Sequence, residues 1–195
     1  GVQWLWSFGD DSNATTYFGI RVQQNEVKVF AQDTGTDLFG NGTLTVANTD
    51  TNGINPTDDA WHHVAFVCKG SASTSDAVEL WIDGLLAGRD DTTAEAFDPT
   101  TFVAGVLSRQ DHASLVQFLD GRIAGLQIFA YAADAGTIAA MATKPCLDVR
   151  RYRPAYWFWL GPKDAHPTMR NHGYMLMPGT LNNAVAGDIV DGGPS

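Results

Sequence analysis

Basic residues are scarce. Twelve Lys and Arg stand against 22 Asp and Glu, a formal net charge of −10 over 195 residues. Such a chain repels phosphate backbones, and its one basic cluster, Arg150, Arg151 and Arg153, reads as a solvated connector, so nucleic acid is set aside as a partner. Long apolar runs are missing as well. Nothing approaches the roughly 18 residues of a membrane-spanning helix, and no membrane span is expected. Cysteine is limited to Cys68 and Cys146, without a C-x-x-C pair, which leaves room for one disulfide in an oxidising compartment and none for a cysteine metal cage. No Gly-x-Ser-x-Gly elbow and no EF-hand spacing occur, and each absence removes a class of site. The chain opens on Gly1 rather than Met, which leaves a removed signal peptide or propeptide open.

What the chain does have is Gly, Thr, Asp and Asn distributed between short apolar runs, the composition of strands joined by turns. The central pair is Trp61 to Cys68 and Val78 to Gly88, both rich in β-branched and aromatic residues, with Asp83-Gly84 marking a hairpin turn in the second. Side chains alternate along a strand, so Val78, Leu80 and Ile82 share one face and Glu79, Trp81 and Asp83 the other. The first face belongs in a core. The second should meet solvent, a groove or a covering loop.

On either side of this pair the pattern continues. Val2 to Phe8 carries Trp4, Trp6 and Phe8 at period two, which predicts one strong aromatic face. Tyr17 to Val22 and Val27 to Phe30 should pair around Gln24-Asn25. Residues 33 to 59 read as loops around a short strand at Leu44 to Val46. Short strands are expected at Thr101 to Leu107 and Leu115 to Phe118, separated by a polar loop, and a longer one at Gly121 to Tyr131. Asp134 is placed to cap a helix that presents Ile138, Met141 and Ala142 on one face and ends at Pro145. A domain of residues 1 to 145 is therefore expected, followed by an aromatic-rich arm, 146 to 195, that includes Tyr156 to Leu160. That arm is expected to complete the domain or to contact a neighbouring subunit. The Asn13-Ala14-Thr15 and Asn41-Gly42-Thr43 triplets match the glycosylation acceptor pattern, which matters only in a secreted eukaryotic setting.

Taken together and in order, Trp61-His62-His63-Val64-Ala65-Phe66-Val67, the run from Val78 to Gly88 and the run from Phe118 to Ile138 resemble the laminin-G-like and pentraxin-like branch of the concanavalin A-like lectin and glucanase superfamily. The resemblance spans roughly residues 4 to 142. It implies an all-β fold, a two-sheet antiparallel jelly-roll sandwich with one short helix, and members that mostly bind glycans or proteins, with some glycosidases. It also makes His63 a core or strand-pairing histidine. Calcium at a loop edge in several such relatives implies Asp10, Asp11 and Asn13, or Asp58 and Asp59, as ligands here.

Glycoside hydrolysis needs two carboxylates about 5 to 9.5 Å apart. The hydrolysing relatives carry alternating acids on one strand, whereas here the nearest match is Glu79, Trp81, Asp83, with an indole in the middle position. No catalytic pair is assigned, and the chain is expected not to be an enzyme. His62 and His63 point to opposite faces of a strand and do not suit one zinc ion. Trp81 is the residue most open to a binding role: an outward indole offers an apolar plate to a sugar, and Glu79 and Asp83 offer acceptors to its hydroxyls. The other reading of Trp81 is a cross-strand aromatic partner or a loop-covered core residue. The expectation is a non-catalytic carbohydrate-binding or adhesion module, extracellular or on a virion or cell surface. Its partner would be a glycan or a surface protein, with homo-oligomers or larger assemblies built through the C-terminal arm. The alternative is a structural subunit of a virion, fibre or surface layer.

Overall fold

The computed structural model describes residues 2–9, 17–23, 26–33, 36–37, 43–47, 58–69, 78–90, 104–106, 109–111, 114–116, 120–121, 123–144, 156–159, 168–169 and 179–180. The chain divides into two compact units, 1–120 and 121–195; the sequence expectation put a boundary at 145.

In the first unit, β1 (Val2–Gly9), β2 (Tyr17–Gln23), β3 (Glu26–Asp33), β4 (Thr36–Asp37), β5 (Thr43–Ala47) and β9 (Ala104–Val106) form one antiparallel sheet. Its order is β4-β3-β2-β1-β9, with β5 also on β3. A second sheet holds β6 (Val64–Cys68), β7 (Val78–Ile82) and β8 (Leu85–Asp90), with β7 in the middle. The two sheets enclose a core of Val27 and Val29 from β3 and Val78, Leu80 and Ile82 from β7, all at most 1% exposed. Trp6, Ile20, Val22, Val64, Phe66 and Ala87 pack around it. This is the two-sheet antiparallel sandwich that the resemblance implies, with the core face of β7 where the alternation predicts it.

The aromatic stripe of β1 departs from expectation. The register against β2 shifts between Trp4 and Trp6: Trp4 sits opposite Arg21, whereas Trp6 sits opposite Ile20. A bulge at that point places one extra residue in β1 and sends the two indoles to opposite faces. Trp6 therefore joins the core, while Trp4, 1% exposed, packs on the outer face 5.8 Å from the Phe30 ring. The Arg21 guanidinium lies 4.2 Å from the Phe30 centroid and 5.9 Å from that of Trp4. Gly19 makes the close approach feasible, because a Cβ there would fall 2.6 Å from both Trp4 Cζ3 and the Trp6 carbonyl oxygen.

A second departure is the stretch read as a polar loop between two short strands. Arg109–Asp111 is a strand, β10, paired with β11 (Ser114–Val116). Three polar side chains in a row carry no apolar alternation to reveal it.

The second unit contains β12 (Gly125–Ile128), helix α1 (Ala135–Thr143), β13 (Tyr156–Trp159), β14 (Thr168–Met169) and β15 (Gly179–Thr180). Asp134 caps α1 by accepting the Thr137 N–H at 2.7 Å, Ile138 and Met141 are buried, and the helix ends at Thr143 with Lys144 as its C-cap. The aromatic strip pairs within its own chain, Tyr156 opposite Ile128 and Trp159 opposite Gly125. No described helix is long and apolar enough to cross a membrane.

Candidate functional site

Three of the sequence-predicted site residues lie on or just beyond β7, and the structure treats them differently. Glu79 and Trp81 point away from the core cluster yet are 7% and 9% exposed. The Trp81 indole N–H donates to Glu79 Oε2 at 3.1 Å, and Lys69 Nζ holds Oε1. Both oxygens of a buried carboxylate are thus supplied with donors, one of them charged, which is what keeps an acid inside a sheet tolerable. Trp81 is a covered indole rather than an open plate.

Asp83 begins the turn that joins β7 to β8. It and Gly84 have φ of 51° and 79°, the left-handed pair that a two-residue hairpin of matching twist requires. Asp83 donates its backbone N–H to the His63 carbonyl and accepts the His63 N–H on Oδ1, both at 2.8 Å. Its other oxygen, Oδ2, lies 2.8 Å from His62 Nδ1. The remaining ring nitrogen of His62 meets Asp58 Oδ1 at 2.9 Å, and the same oxygen accepts the Ala60 N–H at 2.9 Å. The adjacent histidines therefore anchor the turn in different ways, one through its ring and the other through its backbone.

Their electrostatics diverge accordingly. Burial alone would push His62 down, but its bonds to Asp83 and Asp58, with the charge of both, raise it above 6.5. His63 is lowered by burial, only partly offset by the charge of Asp83, and its Nδ1 is buried without a hydrogen-bond partner among the described residues. Asp58 is held below 3.8 chiefly by its hydrogen bond with His62, assisted by the Ala60 N–H. The His62 bridge was not anticipated. An acid four residues ahead of a histidine was visible in the sequence, but the second carboxylate comes from 21 residues away, through the register of β6 on β7.

Asp10, Asp11 and Asn13 lie outside the described residues. Among the described residues no group of three or more His, Cys, Asp or Glu side chains is placed to hold a metal ion, and Asp58 spends Oδ1 on His62 and Ala60. Cys68 is a free, exposed thiol; Cys146, and with it the pairing that the two cysteines leave room for, lies outside the described residues.

Large apolar side chains remain exposed at this end of the sheet. Trp61, just before the two histidines, is 40% exposed, and Leu85, just after the turn, is 50% exposed. An indole and an isobutyl group thus flank the His62–Asp83 network along the chain, beside partly exposed carboxylates, groups of the kind that take an apolar face and hydroxyl donors.

A family model described as the concanavalin A-like lectin/glucanases superfamily, laminin G type, matches residues 3–139, from β1 into α1. No curated protein and no solved structure matches the chain.

Proposed function

The chain belongs to the concanavalin A-like lectin/glucanase superfamily, and from that premise we propose that it is a non-catalytic recognition module that binds carbohydrate. The observation that carries this reading is the exposure of Trp61 and Leu85, which flank the His62–Asp83 network along the chain. A carboxylate has about four acceptor sites, so Asp83 can still take a sugar hydroxyl while holding His62 and His63. Glu79 and Trp81, the other two members of the expected trio, act beneath it by stiffening β7 through their mutual bond and Lys69. A non-catalytic role is supported by the engagement of Glu79, since a buried carboxylate with both oxygens committed is poorly placed to protonate a glycosidic bond. The module would act outside the cell or on a cell or virion surface, on a glycan or a glycosylated partner, alone or as a homo-oligomer. A glycan array probed with the whole chain, alongside a solution size measurement, tests the reading. Saturable retention on a defined set of glycans is expected. No retention, combined with assembly into large particles, would replace it with a structural-subunit role.

A further inference from the structure

His62 has a carboxylate at each ring nitrogen, Asp83 at 2.8 Å and Asp58 at 2.9 Å. A neutral imidazole has one N–H and one lone pair, so it can donate to only one of two ionised carboxylates and must present a lone pair to the other. The imidazolium alone satisfies both. We propose that His62 is a proton-operated clasp: as the imidazolium it pins the 58–60 turn to the β7–β8 turn, and as the neutral ring it releases Asp58.

The asymmetry between the two carboxylates decides which one lets go. Asp83 is fixed twice more, through its own N–H to the His63 carbonyl and through Oδ1 from the His63 N–H. Asp58 has one further bond, to the Ala60 N–H two residues along, and its side chain is 43% exposed against 33% for Asp83. Beside it Asp59 sits at φ 65°, a left-handed conformation that a non-glycine residue holds at some strain and that release would relax. Facing the ring are Asp58 from its own segment and Asp83 from the hairpin turn. The adjoining titratable groups are Asp59, on the exposed turn, and His63, which burial pushes below 6.5. Freeing 58–60 would also loosen the anchorage of the exposed Trp61, which follows it directly.

The direction follows from linkage. His62 in the fold titrates above 6.5, so its contribution is complete below 6.5 and disappears as pH rises through the folded value. Asp58 titrates below 3.8, so its side of the clasp fails only as pH falls through that lowered value. Between the two the clasp is closed, and on the alkaline side it opens.

Nitrogen-15 NMR of the whole chain across this range reads the ring of His62 directly, while amide exchange, corrected for its intrinsic pH dependence, reads the two attachments. In the wild type both ring nitrogens should stay protonated past 6.5. As they titrate, Ala60 protection should fall about tenfold, the scale of one charge-assisted hydrogen bond, while that of His63 holds. In Asp58→Asn the titration should move down and the Ala60 step should vanish. The proposal is overturned if wild-type His62 titrates at or below 6.5, if Ala60 protection is flat across the titration, if His63 loses protection instead, or if Asp58→Asn leaves the step unchanged.

Discussion

The middle of β7 and its end are built from the same alternation, yet they hold polar groups on different terms. At mid-strand Glu79 is 7% exposed and closed off by Lys69 and the Trp81 indole, so its polarity is consumed inside the sheet. Four residues later Asp83 is a third exposed and tied to His62 and His63 by bonds that are partly solvated and, through His62, proton-dependent. One strand thus carries a permanent polar tie and an adjustable one. The difference is set by what lies over the side chain, which alternation does not report.

The largest effect that would break this contrast is expected at Trp81. Trp81→Ala should cost about 3–5 kcal/mol, seen as a lower urea midpoint with an unchanged slope, because it opens a cavity and strips Glu79 of a donor. A cost under about 1 kcal/mol would instead mark the indole as peripheral.

That outcome bears on how far the sequence could be read. The core strands were legible because Val27, Val29, Val78, Leu80 and Ile82 lie at period two in runs flanked by turn residues, and their arrangement in two sheets followed from the family resemblance. The hairpin turn and the Asp134 cap were legible because each rests on local chemistry, an Asp-Gly pair and an Asp three residues ahead of its donor. The bulge in β1 was not, since nothing in Trp4-Leu5-Trp6 announces an inserted residue. The burial of Trp81 was legible only as one of two readings, the loop-covered core residue beside the open plate, because an indole suits either face. The His62 bridge depended on a partner 21 residues distant, beyond any local pattern.

A smaller effect sharpens the mid-strand side. Glu79→Gln keeps the shape but weakens the tie to Lys69, and should lower stability by about 1–3 kcal/mol in the same denaturation experiment. Equal stability would mean that Lys69 contributes nothing to holding the buried acid.

The two histidines offer a comparison in sign. For His62, raised in the fold, the contribution to stability is present below 6.5 and is lost as pH climbs through its folded value. For His63, lowered in the fold, stability is lost as pH falls from 6.5 through its folded value. Replacing His62 by Gln should therefore leave melting temperatures that rise with pH on the approach to 6.5, and replacing His63 by Gln should leave melting temperatures that fall as pH climbs above 6.5. Matching slopes in the two variants would contradict the assignment. Smallest of all is Cys68→Ser, which should change stability by no more than about 0.5 kcal/mol, with or without reductant, because the thiol is free and exposed.

Recognition of carbohydrate by the edge around Trp61 and Asp83 is tested most directly by equilibrium titration of the whole chain with a panel of glycans, the mass of each glycan being read before and after. Saturable binding of at least one glycan, weakened in Trp61→Ala and accompanied by no change in glycan mass, is the predicted result. Saturable binding by none of them, binding that survives Trp61→Ala intact, or a glycan returned shorter than it was supplied would contradict it.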